Sequence, residues 1–296
     1  MGRLRRARTF PTLNIVFMVL FSFLCLYPFI FVLALSLNDG VDAQRGGIFL
    51  VPRIFSLENY KTIFSNSDLV HAYTITIYRV LVGTVLSLAL TSLTGFALSR
   101  RALPFRRFFN WMVFVPLYFS GGIIPYYMVL NTLGLTNNLA VYVLPALLSS
   151  FNVILMRTFM KNLPESLFES ARLDGAGEFV VFTRIAFPLS GPVMATIALF
   201  TAVGHWNDWF TGLVFVFEKK LWPVSTLLLN ILRSSEIQTY VNPKFFMSTG
   251  LTKRRVVTPE SLKMAMLIVT TVPVLLIYPF LQKHFVKGVM IGSLKG

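Results

Sequence analysis

The sequence predicts an all-α integral membrane protein with about six transmembrane helices. Three observations carry that expectation. The chain is 55% hydrophobic and 13% charged, against roughly 25% charged residues in a soluble domain. Its charges leave long gaps: none between Arg8 and Asp39, none between Arg107 and Arg157, only Asp208 between Arg184 and Glu218, and none between Lys263 and Lys283. Arginines and lysines instead crowd into short segments beside those gaps, as they do in the cytoplasmic loops of membrane proteins. A bilayer core takes about 20 apolar residues of helix, so each gap holds one span and the second is long enough for two. Hydrocarbon offers no partner to backbone polar groups, so such runs form helix.

Along the chain, spans are expected near 13–37, 70–98, 106–130, 138–160, 189–216 and 263–283. Four arginines precede the first run, as in a secretory signal. The run is too long for a signal core, however, and no small-residue cleavage site follows Leu37, so it is expected as a retained span. Cys25, the sole cysteine, lies inside it and predicts no intrachain disulfide. The turn-rich segment Asn131–Asn138 joins spans three and four as a helical hairpin. An even number of spans puts both termini on one side. Arg3, Arg5, Arg6 and Arg8, the loop residues Arg100, Arg101, Arg106 and Arg107, and the tail residues Lys283, Lys287 and Lys295 assign that side to the cytoplasm. The chain then divides into a cytoplasmic basic tail (1–12), a transmembrane domain (13–285) and a cytoplasmic C-terminal tail (286–296). A cytoplasmic loop falls at 161–188 and an external loop at 217–262. The net charge of +15 is read as a topology signal rather than as a sign of nucleic-acid binding.

The cytoplasmic loop is the most informative segment. Pro164 opens a short helix with Glu165 and Glu169 near its positive end. Asp174-Gly175 stops it, because glycine tolerates the reversed backbone sign that a helix stop needs. A second short helix follows, and Pro188 sets the start of span five. Physical reasoning leaves two readings: a rigid device that transmits force, or an ordinary amphipathic connector.

Glu169, Ala171, Gly175, Ile185 and Pro188 fall at the spacings of E-A-A-x-x-x-G followed nine residues later by I-x-L-P. The segment therefore resembles the EAA loop of ABC importer membrane subunits, with Ser170 in place of alanine, Phe187 in place of leucine, and Asp174-Gly175-Ala176 matching a common variant. The stretch Thr94–Arg100 looks like the end of span two in carbohydrate importers of the maltose-transporter type. Val203–Phe210 looks like their Trp-Asn signature, and Pro259–Ala265 with the ending Phe285–Gly296 resembles a branch handling oligo- and polysaccharides. The resemblance implies the permease fold of type I ABC importers in a bacterial cytoplasmic (inner) membrane. It implies that Glu169, Ser170, Ala171, Asp174, Gly175, Ala176, Ile185 and Pro188 couple the chain to ATPase subunits. It also implies a second homologous membrane subunit forming a heterodimer, two ATP-binding cassette ATPase subunits and an external solute-binding protein. ATP and Mg would sit on the partner ATPase, and no cofactor is expected in this chain.

Arg79 and Asp208 are the two charges placed inside spans away from their ends. A lone charge at bilayer depth costs at least about 2.5–3.5 kcal/mol, so both are expected to face the bundle interior or a watered path. Each sits about nine residues from the outer end of its span, which permits an ion pair at equal depth. Trp206, Asn207 and Trp209 flank Asp208. Their rings and amide suit sugar stacking and hydroxyl binding, and equally suit anchoring at the membrane interface. With Arg79 and Asp208 they form the candidate substrate path. His205 is expected to pack, since the three histidines have no metal-ligand spacing. In the external loop, Lys253, Arg254 and Arg255 are expected to dock an acidic protein face or to attract an anionic glycan such as alginate.

No phosphate-binding G-x-x-x-x-G-K-[ST], H-E-x-x-H or G-x-S-x-G motif occurs, so the chain is expected to be a transport subunit and not an enzyme. The competing expectation is a secondary transporter driven by an ion gradient. That class uses more intramembrane acids and broken repeat helices, and it leaves the loop motif unexplained.

Overall fold

The computed structural model describes the backbone of residues 2–65, 67–241 and 257–293, with side chains over 10–65, 67–233 and 257–277. In chain order the helices are α1 (Gly2–Ser36), α2 (Gly40–Ala43), α3 (Glu58–Phe64), α4 (Ser67–Ser99), α5 (Arg106–Tyr118), α6 (Ile123–Thr132), α7 (Ser150–Lys161), α8 (Glu165–Leu173), α9 (Glu178–Val181), α10 (Phe187–Leu189), α11 (Gly191–Asn207), α12 (Phe210–Phe215), α13 (Val224–Val241) and α14 (Pro259–Ser293). Short 3-10 turns at Leu139–Tyr142 and Leu144–Ala146 precede α7, and a π turn at Phe182–Ala186 joins α9 to α10. Among the described residues the only extended pairing is a bridge between Asn38 and Phe55.

Among the described residues, three continuous helices are long and apolar enough to cross a membrane: Phe10–Ser36, Ser67–Ser99 and Pro259–Ile277. Two bent pairs each supply the length of one more: Leu139–Ala146 with Ser150–Lys161 at 43°, and Glu178–Leu189 with Gly191–Asn207 at 78°. The chain is thus a nearly all-helical protein built from several apolar helices. The continuous third span expected over 106–130 is instead two helices. The chain turns extended at Phe119 and passes through Gly122 at φ 81°, where Gly121-Gly122 offers no side-chain resistance and Pro116 has already removed one helical N–H. The fifth span stops at Asp208 (ψ 105°) and resumes as the short α12. The last helix runs on to Ser293 and the first begins at Gly2, so both outrun the spans read from hydropathy.

The chain packs as two units, residues 1–69 with 228–272, and residues 70–227 with 273–296. In the first, α1 is apolar from Phe10 onward, and its described side chains are almost all exposed over its first two-thirds. Its end is tied by a polar knot. Buried Asn59 donates to the carbonyls of Ser36 (2.9 Å) and Asn38 (3.0 Å) and accepts from Ser261 (2.8 Å). Buried Asn38 accepts from the N–H groups of Arg53 and Ile54, each at 2.8 Å. These two amides satisfy backbone groups that irregular chain would otherwise leave unpaired.

Among its described residues the second unit holds two cores. Ile75, Leu130, Tyr142, Phe215 and Trp222 gather around one end of α4. Phe96, Met156, Met160, Phe168, Phe182 and Ile197 gather around the other. Glycines on α4 set how closely its neighbours approach. A Cβ on Gly83 would lie 2.3 Å from Nε2 of His205, and one on Gly95 would lie 2.6 Å from Cγ of Met156.

Candidate functional site

The loop at 161–188 folds as the sequence suggests and then does more. Pro164 stands at the N-cap of α8 with φ −57° and ψ 123°. At the other end, Gly175 N–H donates to the Arg172 carbonyl (3.0 Å) and Ala176 N–H to the Ala171 carbonyl (2.9 Å), with Gly175 at φ 81°. That pair of bonds is a Schellman stop, which explains why glycine occupies this position. Pro188 lies within α10 and does not open span five; the sharp turn falls after it, at Ser190-Gly191-Pro192. The π turn at Phe182–Ala186 precedes Pro188, where a widened ring relieves the clash between a proline and the carbonyl four residues back.

The loop has two faces. Glu169, Ser170, Asp174, Gly175 and Pro188 are exposed, whereas Ala171, Ala176 and Ile185 pack against the adjoining core. Leu173 is 88% exposed and Phe179 is 70% exposed, so the outward face of a charged loop carries bare apolar side chains, as docking surfaces do.

What holds α8 in place is a pair of residues outside the loop's motif positions, Phe168 and Arg100. Phe168 is fully buried in the core of α4, α7 and α11, which is worth about 2–3 kcal/mol. The Arg100 guanidinium, just past the end of α4, lies over the Phe168 ring at 3.7 Å and over the Phe96 ring at 4.6 Å. Arg100 also reaches Glu165 at 3.7 Å, and Arg172 bridges Glu165 (3.5 Å) and Glu178 (2.9 Å). Burial pushes the Arg100 pKa down and Glu165 pulls it back up. The hydrogen bond to Glu178 raises that of Arg172. Both groups stay charged, since a guanidinium loses its proton only far above neutral pH. The available signals were the apolar Phe168 at the centre of α8 and the placement of Arg100 directly after the last residue of α4.

The second region is a cleft of about 600 Å³ whose polar lining includes Tyr126, Tyr142, Asn152, Thr201, His205 and Asp208. Behind it lies Arg79, fully buried. Its Nε donates to the His205 carbonyl (2.6 Å), and its Nη2 donates to the carbonyls of His205 and Asp208 (2.7 Å for the latter). The same Nη2 lies 3.3 Å from Oδ2 of Asp208. Arg79 therefore caps the C-terminus of α11, whose last carbonyls lack helical partners and carry partial negative charge. Asp208 Oδ1 accepts from Thr211 N–H at 3.1 Å, tying the break to α12. The expected ion pair is present, with Arg79 buried and Asp208 about one-third exposed toward the cleft.

Trp206, Asn207 and Trp209 are not brought to the cleft wall. Trp206 packs on Tyr73 with ring centroids 6.2 Å apart, Asn207 is exposed, and Trp209 meets Phe210 edge-on at 5.8 Å. Lys253, Arg254 and Arg255 lie outside the described residues.

Residues 5–291 match the family of binding-protein-dependent transport system inner membrane components. The chain belongs to this family. It is accordingly a multi-pass membrane component of a transport system, not an enzyme. It is 37% identical, over 98% of its length and 99% of the relative, to the polygalacturonan/rhamnogalacturonan transport system permease protein YtcP of Bacillus subtilis. It is 27% identical, over 98% of its length and 100% of the relative, to the arabinooligosaccharides transport system permease protein AraQ of Halalkalibacterium halodurans. Among solved structures it resembles a chain of a bacterial ABC transporter involved in import of the acidic polysaccharide alginate. That match has a TM-score of 0.86 and 28% identity, and covers 95% of this chain and 98% of that one. The permease fold expected from the sequence is the fold of that neighbour.

Proposed function

We propose that this chain is the channel-forming membrane subunit of an ATP-driven carbohydrate importer whose substrate is an uronate-containing oligo- or polysaccharide. The observation that carries the coupling half of this reading is the seating of α8. It presents Glu169, Ser170, Leu173 and Asp174 outward while Phe168 and Arg100 fasten it to α4. A helix held this way moves with the spans when an ATPase subunit pulls on it. The carbohydrate half rests on relatives named for polygalacturonan and arabinooligosaccharide transport and on the alginate importer as structural neighbour.

On this reading both termini are cytoplasmic and α8 docks on one of two ATPase subunits, which hold ATP and Mg. A second homologous membrane subunit completes the channel, and an external solute-binding protein delivers the glycan. Glu169, Ser170, Asp174 and Gly175 form the contact surface, and Ala171, Ala176, Ile185 and Pro188 set its shape. Asp208 lines the path, and Arg79 keeps the α11–α12 break in one geometry. Because Arg79 neutralises Asp208, the cleft offers hydroxyl-binding groups without repelling a carboxylate-bearing sugar. Asn207, Trp206 and Trp209 act around this break, from outside the cleft wall.

The test is ATP hydrolysis by the reconstituted complex with its binding protein and a glycan panel. Stimulation by oligogalacturonides or oligoalginate above neutral glycans is the expected result. Stimulation by neutral glycans alone would discard the uronate substrate. The helix breaks at Gly122 and Asp208 are also of the kind that ion-driven transporters use, and transport driven by an ion gradient without ATP would replace this reading.

A further inference from the structure

A second cavity, of about 480 Å³, lies between α5 and α7, away from the Asp208 cleft. It is lined by Arg107, Asn110, Trp111, Tyr118, Phe119 and Arg157, with Phe114 and Val115. Its charge is one-sided. Arg107 and Arg157 line it and Arg106 stands beside them, and none of the three has a carboxylate partner among the described residues. Two polar atoms here, Nε of Arg157 and Oδ1 of Asn110, are buried without a hydrogen-bond partner. The Asn110 amide is oriented by its Nδ2, which donates to the Arg106 carbonyl at 2.7 Å, so the orphan is an acceptor. Buried unpaired polar atoms are rare and call for a ligand or water.

The rest of the wall is aromatic and open. Trp111 is 69% exposed, and Tyr118 and Phe119 are each 76% exposed. From Arg107 to Tyr118 the wall rises by about 16 Å, at 1.5 Å per residue, which matches one leaflet of a hydrocarbon core about 30 Å thick. A cationic end, an orphan acceptor and an apolar wall one leaflet long describe the shape of a single phospholipid.

We propose that this cavity is a specific site for an anionic phospholipid whose headgroup carries hydroxyls. The phosphate pairs with Arg107 and Arg157, a headgroup hydroxyl donates to Asn110 Oδ1, and an acyl chain lies along Trp111, Phe114 and Tyr118. The leaflet, but not the binding, rests on the topology proposed above, which makes it the cytoplasmic one. Basic pockets on that side of a membrane protein suit anionic headgroups.

The experiment uses the full-length chain purified with its co-purifying subunits, stripped of lipid and titrated with phosphatidylglycerol or phosphatidylcholine, with bound lipid read by native mass spectrometry. The wild type should retain phosphatidylglycerol over phosphatidylcholine. Arg107→Gln with Arg157→Gln should weaken that binding roughly 30-fold, at about fivefold per arginine. Arg107→Glu, a change at an exposed position that leaves the fold alone, should abolish the preference, and Arg107→Lys with Arg157→Lys should keep it. Unchanged retention in the Gln pair or in Arg107→Glu would overturn the proposal. So would competition by soluble glycerol phosphate at equal concentration, which would mark a free-anion site, or displacement by oligogalacturonide, which would mark a glycan track. Lipid retention is read without transport. A failed import assay therefore overturns the proposed function alone, and a lost lipid preference overturns this site alone.

Discussion

The Arg100 guanidinium sits 3.7 Å over the ring of Phe168, so the end of α4 and the centre of α8 share one contact. A desolvated cation–aromatic contact is worth about 2 kcal/mol, and Glu165 adds a charge partner at 3.7 Å. Arg100→Ala is expected to leave the complex assembled and basal ATP hydrolysis near normal. It should lower binding-protein-stimulated hydrolysis and uptake by about tenfold or more, on the scale of that contact. Arg100→Lys should recover only part, because an ammonium lacks the planar face. Equal loss of basal and stimulated hydrolysis would mean that Arg100 serves folding only.

Gly175 sets the stop of α8. A Cβ there would meet no atom within 4 Å, yet φ is +81°. Gly175→Ala should therefore cost about 1 kcal/mol from backbone strain alone. Gly175→Asn should cost less, since asparagine tolerates the left-handed region. The ranking Gly, Asn, Ala in glycan-stimulated hydrolysis checks this, and an alanine variant equal to wild type would refute the Schellman account.

Arg79 and Asp208 are paired but are not interchangeable. Arg79 bonds the carbonyls of His205 and Asp208 as well as the carboxylate. An exchange of the two residues removes the donor from those carbonyls. The double variant Arg79→Asp with Asp208→Arg should therefore stay as inactive as Arg79→Asp. Asp208→Asn should be milder than Arg79→Gln in thermal stability, because it keeps the Thr211 bond and leaves α11 capped. Full rescue by the exchange would show that charge pairing is the whole function of Arg79.

Gly83 is a packing requirement. Its hypothetical Cβ lies 2.3 Å from the His205 ring, and overpacking of this kind costs about 1–3 kcal/mol. Gly83→Ala should lower the melting temperature, and adding His205→Ala should return part of it. Additive losses in the double variant would place the strain elsewhere.

Much of this architecture was legible in the sequence because membrane helices announce themselves by charge gaps and loops by arginines. The Ser67–Ser99 helix and the Asp174-Gly175 stop fall where hydropathy and glycine placed them. The break at Phe119–Gly122 was less visible, because a long apolar run hides a kink that only Pro116 and two glycines mark. The ion pair was predictable from equal depth. The capping role of Arg79 was not, since it depends on α11 ending at Asn207. The aromatic residues around Asp208 looked like one sugar-binding cluster in sequence. A helix turns about 100° per residue, however, and it sent Trp206 to Tyr73 and away from the cleft.

Uptake of labelled oligogalacturonide into proteoliposomes, holding the chain with its partner subunits and external binding protein, tests ATP-driven import most directly. Accumulation that needs both ATP inside and binding protein outside, and that is reduced by Arg100→Ala, is the predicted result. Accumulation driven by an ion gradient without ATP, or ATP-driven uptake indifferent to Arg100, would contradict it.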